Sequence, residues 1–293
     1  MKRIFPLLLA LLLVLPLSAC GTGSGGDDDT LTVAATTYPL FLLASSVTEG
    51  VEDITVVPVV NQSVACLHDY TLTVTDMKIL ERADLILCNG AGLEDFLGDA
   101  LSGKASVDCS VGISLLTDED GESDPHIWMD PDRAAVMVEN IAAGLAEADP
   151  EHADTYLANG EAEAQALTEF AVQCREALSD LSCRSLITFH EGFAYFAESM
   201  DLEILAAVEE ESGSEASAKE IVQIVSLIEE FSLPAIFTEA NGSTATASAI
   251  VRECGVELYS LSMLMSGEEI YDETNNYQAL MQNNIRVIQE ALS

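Results

Sequence analysis

Two successive series of short β-branched segments, each alternating with helical patterns, constrain the fold of this chain most. The segments of the first series that predict strands are Leu31–Ala35, Ile54–Val60, Ala83–Cys88 and Ser106–Ile113. Those of the second series are Ser185–Phe189, Glu203–Val208, Ala235–Thr238 and Val256–Leu261. This βαβ order is typical of mainly parallel sheets. The sequence therefore predicts an α/β protein with two lobes, each built on its own parallel sheet.

A long helical stretch lies between the two series. Asp130-Pro131 is a favourable helix start, and Asp149-Pro150 interrupts the helix that follows. Strong helix formers then continue over Ala153–Leu178, which predicts a rigid helix about 39 Å long that joins the lobes with little hinge motion. The predicted organisation is an N-terminal lobe over residues 31–150, a linking backbone helix over 151–180 and a C-terminal lobe over 181–293.

The N-terminal residues read as a targeting signal. Lys2 and Arg3 precede an apolar run that is too short to span a bilayer, which is typical of a signal peptide. The run ends in Leu17-Ser18-Ala19-Cys20, which resembles a bacterial lipobox, where cleavage before the cysteine is followed by lipid attachment to its thiol. We therefore predict a lipoprotein signal peptide over residues 1–19, a lipid on Cys20 and a flexible tether over 20–30. The protein would be extracytoplasmic and anchored to the cell membrane by that lipid.

The charge excludes one class of partner. The chain has 11 basic and 50 acidic residues, so its formal net charge is −39. Nucleic-acid binding needs a cationic face, and this chain has few cations from which to build one. With 49% hydrophobic residues, the chain is nevertheless expected to fold around a core.

Six cysteines remain after Cys20, and outside the cytoplasm they allow 15 pairings into three disulfides. Cys174 and Cys183 are near enough in sequence to close a small loop. Buried free thiols are the alternative, and the sequence leaves both open.

Three of the four histidines follow predicted strands: His68, His126 and His190. Ligands of open α/β sheets bind beyond the carboxyl ends of the strands, so both lobes can direct imidazoles into one cleft between them. Three neutral imidazoles suit a transition metal such as Zn²⁺. The sequence predicts a metal site in the interlobe cleft, whereas His152, at a helix start, is interpreted as a solvated residue.

Four ordered motifs then resemble one family, the zinc- or manganese-binding lipoproteins that serve as solute-binding proteins of bacterial ABC importers. The motifs are Cys66-Leu67-His68-Asp69-Tyr70, the run DPHIWMDP over residues 124–131, FHEGFAYF over 189–196, and PAIFTE over 234–239. The resemblance covers nearly all of Leu31–Leu292. It implies two α/β lobes joined by a backbone helix, the metal ligands His68, His126 and His190, and delivery of the metal to an ABC permease.

One departure from the family concerns the fourth ligand. Where the family often places an Asp after the last strand, this chain has Ser262, whose neutral hydroxyl is a poor ligand for a divalent ion. Glu239 is the other candidate, with a buried hydrogen-bonding carboxylate as its alternative role. A site of three histidines favours Zn²⁺, and Mn²⁺, which prefers oxygen donors, is the alternative.

Two other functions compete with that of a metal receptor. Three histidines and an open position also describe a catalytic zinc, so a zinc-dependent hydrolase is one alternative. No HExxH-type segment is present, and the resemblance is to binding proteins, so we predict no enzyme. An adhesin or a receptor for another ligand is the second alternative. We further expect the protein to be a monomer.

Overall fold

The computed structural model describes residues 30–61, 70–117, 121–208, 217–240 and 244–293. Its first lobe is built on a four-stranded parallel sheet in the order β2-β1-β3-β4. These strands are β1 (Leu31–Ala35), β2 (Ile54–Pro58), β3 (Leu85–Cys88) and β4 (Ser106–Asp108). Strand β3 is buried along its whole length, as expected for a parallel sheet covered on both faces.

The second lobe repeats this topology, with a parallel sheet in the order β6-β5-β7-β8. Its strands are β5 (Ser185–Thr188), β6 (Glu203–Ala207), β7 (Ala235–Glu239) and β8 (Glu257–Leu261). In each sheet the strand order reverses at one point, between β1 and β3 and between β5 and β7. The carboxyl ends of strands at such a switch point form the usual ligand crevice.

Eight α-helices surround the sheets in the described part of the chain. They are α1 (Tyr38–Val47), α2 (Val74–Arg82), α3 (Pro131–Ala148), α4 (Ala153–Ala177), α5 (Ala194–Ser199), α6 (Ala218–Phe231), α7 (Ala245–Cys254) and α8 (Tyr277–Leu292). Two 3₁₀ segments lie at Leu93–Leu101 and Ile127–Met129. None of the helices in these ranges combines the length and apolar character needed to cross a bilayer.

Helix α4 connects the lobes and packs along α3 of the first lobe. Asp130 caps α3 by accepting a hydrogen bond from the Asp132 amide at 2.9 Å, and Pro131 occupies the first turn. Helix α4, 25 residues long, packs against α1 and α3 of the first lobe and α8 of the second. At the contact of α3 with α4, a Cβ on Gly160 would lie 2.5 Å from the Cβ of Ala142, so this close approach requires glycine.

The larger of two apolar core clusters contains side chains from both lobes, and the smaller lies within the second lobe. Trp128 is fully buried and donates its indole N–H to the Met263 carbonyl at 2.9 Å. The hydroxyl of Tyr277, at the start of α8, donates to the Trp128 carbonyl at 2.7 Å. The prediction of two α/β lobes with parallel sheets joined by a long helix is confirmed.

Two predicted elements differ from the structure. The strand expected over Ser106–Ile113 ends at Asp108, because the Asp108 carboxylate accepts hydrogen bonds from the amide and hydroxyl of Ser110 and turns the chain. The helical pattern between the third and fourth predicted strands is a 3₁₀ segment over Leu93–Leu101, kinked at Gly98, which has φ 50°. The bounds of the other seven predicted strands agree with the structure within two residues.

The five cysteines in the described ranges, which include Cys174 and Cys183, are all free. The small loop that these two could have closed by a disulfide is therefore not formed. Cys174 is buried in the core from α4, whereas the Cys183 thiol lies 3.7 Å from the Ser185 carbonyl. Cys66 lies outside the described residues.

Candidate metal centre

His190 lies directly beyond β5, at the switch point of the second sheet. The pairing of β5 with β7 continues past the strand, since the Phe189 amide donates to the Phe237 carbonyl at 2.9 Å. The Thr188 hydroxyl then donates to the His190 carbonyl at 3.0 Å and fixes the backbone that carries the imidazole. The predicted position of His190 at a strand exit is thus the observed one.

His126 lies in the loop that leads into α3. The Asp124 carboxylate accepts hydrogen bonds from the His126 amide at 2.9 Å and from its ring Nδ1 at 2.7 Å. Between these two residues, the Pro125 carbonyl accepts a hydrogen bond from the Asn89 carboxamide at 2.9 Å, which ties the loop to the end of β3. A carboxylate on one ring nitrogen fixes the tautomer and makes the other nitrogen the more basic, which is the usual arrangement of metal-ligating histidines.

The imidazoles of His126, from the first lobe, and His190, from the second, lie close together in an edge-to-face arrangement. Their ring centroids are 5.7 Å apart and the rings are nearly perpendicular, with an interplanar angle of 86°. Two imidazoles that share one tetrahedral ion with Zn–N bonds of about 2.05 Å have centroids about 5 Å apart. The pair is thus within a small adjustment of the separation at which both could hold one ion.

Gly192 makes room for this pair. A Cβ at residue 192 would lie 2.9 Å from Cδ2 of His126 and 2.1 Å from Cε of Met263. A side chain here would displace the His126 ring or the Met263 thioether, so the approach of the two histidines depends on glycine. The sequence pattern placed Gly192 in a motif but gave it no role.

Glu239 ends β7 and is buried, with 3% of its surface exposed. Since Thr188 pairs with Phe237, Glu239 lies two residues further along and therefore at the level of His190. Burial raises the pKa of Glu239 to about 7, because it disfavours the charged carboxylate. A bound cation at this edge of the sheet would favour the anion again.

Ser262 follows β8 at the same edge of the sheet. Its amide donates to the Asn284 carboxamide at 2.8 Å, and the same carboxamide donates to the Ser262 carbonyl at 2.7 Å. Its hydroxyl accepts a hydrogen bond from the Leu264 amide at 3.1 Å. The backbone at this position is thus held firmly, and the hydroxyl has a local backbone partner.

The contacts that the structure describes for His152 are with residues at the start of α4 and not with His126 or His190. His152 precedes α4, where its ring Nδ1 lies 2.7 Å from the Asp149 carboxylate. The Asp149 carboxylate raises the pKa of His152, and burial lowers it less. These contacts belong to the start of a helix, in keeping with its interpretation as a residue outside the metal site.

Of the predicted site residues, the structure brings His126 and His190 together, and His68 and Cys20 lie outside the described residues. Within the described ranges, no three His, Cys, Asp or Glu side chains are close enough to hold a metal ion as a group.

Asp124 was missed as a functional residue by the sequence analysis. A carboxylate two residues before a predicted ligand histidine was the signal that could have found it.

Comparison with known proteins identifies the relatives of this chain. A family model described as zinc-uptake complex component A, periplasmic (ZnuA), matches residues 33–291. The iron-binding protein YfeA of Yersinia pestis is 29% identical over 214 residues, which cover 70% of this chain and 69% of that protein. The manganese-binding lipoprotein MntA of Halalkalibacterium halodurans is 25% identical over 307 residues that cover both chains completely.

Among solved structures, a crystal structure of ZnuA superposes with a TM-score of 0.79. It is 25% identical in sequence, and the match covers 90% of this chain and 100% of that one. The family model is described as a zinc-uptake component, and the relatives are named as iron-, manganese- and zinc-binding proteins, which confirms the predicted family and the prediction of a metal-binding protein rather than an enzyme.

Proposed function

Since the chain belongs to the zinc-uptake complex component A (ZnuA) family, whose members are extracytoplasmic metal-binding solute-binding proteins of ABC importers, we propose that it captures Zn²⁺ and delivers it to an ABC permease. Zn²⁺ is the cargo, and His68, His126 and His190 are its proposed ligands. The ion would be held in the cleft between the lobes until the receptor meets the permease.

The observation that carries this proposal is the pair of imidazoles from the two lobes, 5.7 Å apart, one of them held by a carboxylate through Nδ1. Because His126 comes from the first lobe and His190 from the second, an ion between them would bridge the lobes. Such a bridge would couple occupancy of the site to the relative position of the two lobes. A permease could then distinguish the metal-loaded receptor from the empty one by that position.

The donor set favours zinc over manganese. Imidazole nitrogens suit Zn²⁺, whereas Mn²⁺ prefers carboxylate and other oxygen donors. The relatives are named for zinc, manganese and iron, so membership of the family leaves the ion open, and the choice of Zn²⁺ rests on the three histidines. Manganese is the alternative cargo.

A fourth ligand would complete the site from the second lobe. Glu239 at the end of β7 and Ser262 after β8 both lie at the edge of the sheet that carries His190. A carboxylate at the position of Ser262 would resemble the family pattern more closely, and a water molecule could take the fourth position instead.

The N-terminal region would keep this receptor at the membrane. Residues 1–19 would be removed as a signal peptide, and Cys20 would carry the lipid. Residues 20–30 would form the tether to the N-terminal lobe over 31–150, followed by the linking helix over 151–180 and the C-terminal lobe over 181–293. The receptor would work as a monomer.

Metal content and competitive titration of the purified protein test this proposal. We expect one Zn²⁺ per chain, held much more tightly than Mn²⁺. Tighter binding of Mn²⁺ than of Zn²⁺ would identify manganese as the cargo, and no specific binding of either ion would refute the proposed function.

A further inference from the structure

Tyr195 connects the two lobes beside the histidine pair. It lies on α5 of the second lobe, five residues after His190, and is fully buried. Its hydroxyl donates to the Asp124 carbonyl at 2.8 Å and accepts a hydrogen bond from the Leu116 amide at 2.9 Å. Both partners belong to the segment of the first lobe that leads to His126.

The ring of Tyr195 is fixed as firmly as its hydroxyl. The Arg133 guanidinium, from α3, lies 4.6 Å from the ring centroid, within the range of a cation–π contact. The same guanidinium pairs with Asp130 at 2.6 Å and with Glu198 at 2.8 Å. Glu198 lies on α5 with Tyr195, and the Ser199 hydroxyl at the end of the same helix donates to the Asp130 carboxylate at 2.8 Å. This short helix is therefore joined to the first lobe through Tyr195, Glu198 and Ser199.

Asp124 links Tyr195 to the metal centre. Its carbonyl accepts from Tyr195, and its carboxylate accepts from the amide and ring Nδ1 of His126. Tyr195 is thus joined to His126 through one intervening residue, Asp124, and to His190 through the four intervening residues of backbone. Any shift of Tyr195 would change where the two imidazoles stand relative to each other.

We propose that Tyr195 is a positioning residue that sets the separation and orientation of His126 and His190, and thereby the geometry at the bound ion. This inference rests on the proposed metal-binding function and adds to it the element that holds the two halves of the site in register. The hydroxyl is the critical group, because it is the atom that contacts the His126 segment.

The substitution Tyr195→Phe removes only that hydroxyl. The Asp124 carbonyl then loses a buried donor, so the His126 segment is free to shift. The Leu116 amide loses its acceptor as well. We expect Zn²⁺ affinity to fall about three- to tenfold, as for the loss of the one hydrogen bond that reaches Asp124, the residue bonded to His126. We also expect the visible absorption bands of the Co²⁺-loaded protein to change in position or intensity, because those bands report the ligand geometry at the metal.

Tyr156→Phe is the matched control. Tyr156 is also fully buried, and its hydroxyl donates one hydrogen bond at 2.9 Å, to Asp149 near the start of α4. This variant should lose thermal stability to a similar extent yet keep wild-type zinc affinity and the wild-type Co²⁺ spectrum. The spectrum thus separates positioning from a general loss of stability.

The outcomes are distinct. A Tyr195→Phe protein with wild-type affinity and spectrum overturns the positioning role, as do equal changes in Tyr156→Phe. Failure of the wild-type protein to bind Zn²⁺ or Co²⁺ instead refutes the proposed function itself. If Tyr195→Phe does not fold, Glu198→Gln weakens the attachment of α5 through Arg133. A Co²⁺ spectrum that differs from the wild-type spectrum then supports the proposal, and an unchanged spectrum overturns it.

Discussion

At the scale of single residues, hydrogen bonds from close neighbours in sequence hold the two histidines of the candidate metal centre. Asp124 holds the ring of His126, and Thr188 holds the backbone of His190. The position of His190 could be predicted because it comes just after a strand, where ligands of α/β sheets bind. His126 instead lies in the loop that leads into α3, well after the end of β4. The separation of the two histidines could not be predicted, because it depends on Gly192 and on contacts between the lobes.

Replacing each histidine with alanine tests the ligand assignment. His68→Ala, His126→Ala and His190→Ala should each weaken Zn²⁺ binding by more than about 100-fold, since loss of a mere partner of a ligand already costs 10–100-fold. His152→Ala should leave the affinity unchanged, because this residue contacts Asp149 before α4. Equal losses in all four variants by competitive titration would contradict the assignment.

Asp124→Ala tests the carboxylate behind His126. The His126 ring would lose the acceptor that fixes its tautomer, so Zn²⁺ affinity should fall by about 10–100-fold. Asp124→Asn keeps an acceptor oxygen and should lose less. The control is Asp149→Ala, which removes an Nδ1 contact of the same 2.7 Å length from His152 and should not affect zinc binding. An Asp124→Ala protein as tight as the wild type would show that the contact has no part in ligation.

Ser262→Asp tests the missing carboxylate. The backbone of residue 262 is held on both sides by Asn284, so the new side chain would have a defined place. One carboxylate oxygen can accept from the Leu264 amide as the serine hydroxyl does, which leaves the other for the ion. Affinity for Mn²⁺ should rise more than affinity for Zn²⁺, because an oxygen donor favours the harder ion. A titration with no gain for either ion would mean that residue 262 does not reach the site, and Glu239→Gln would be tested next.

At the scale of elements, the sequence predicted strands and helices well where their periodicity is strong. Strand β1 and helix α4 agree with expectation within one residue, since β-branched runs and long stretches of helix formers leave little ambiguity. The strand at Ser106 was predicted too long because the side chain of Asp108 turns the chain. The contact of α3 with α4 was not predictable, because it depends on which glycine faces which alanine.

Gly160→Ala tests that helix contact. The added methyl would lie 2.5 Å from the Cβ of Ala142, and such overpacking costs about 1–3 kcal/mol, offset in part by about 1 kcal/mol of helix propensity. The urea midpoint should therefore fall. The double variant Gly160→Ala with Ala142→Gly removes the opposing methyl and should regain part of the loss from packing. If the single variant were more stable than the wild type, the helices would have room that the structure does not show.

At the scale of the whole molecule, β1 separates the proposed membrane tether from the candidate metal centre. This strand is internal to the first sheet, and its first residue, Leu31, follows directly on the proposed tether. Because all strands of the sheet are parallel, the proposed tether would join the amino edge, while the candidate metal centre lies beyond the carboxyl edges. The five residues of β1 separate these edges by roughly 17 Å. The proposed attachment and the proposed metal capture would therefore occupy opposite ends of the first lobe.

This separation predicts that the anchor and the metal centre can be disabled independently. Cys20→Ala should abolish lipid attachment, so that the protein leaves the membrane fraction, while its zinc affinity stays at the wild-type value. His126→Ala should do the reverse, with full membrane association and weak zinc binding. Lipid labelling and fractionation, combined with titration of both variants, measure the two properties side by side. Loss of zinc affinity in Cys20→Ala would mean that the N-terminal region takes part in the fold or in the site, contrary to a tether at the amino edge of the sheet.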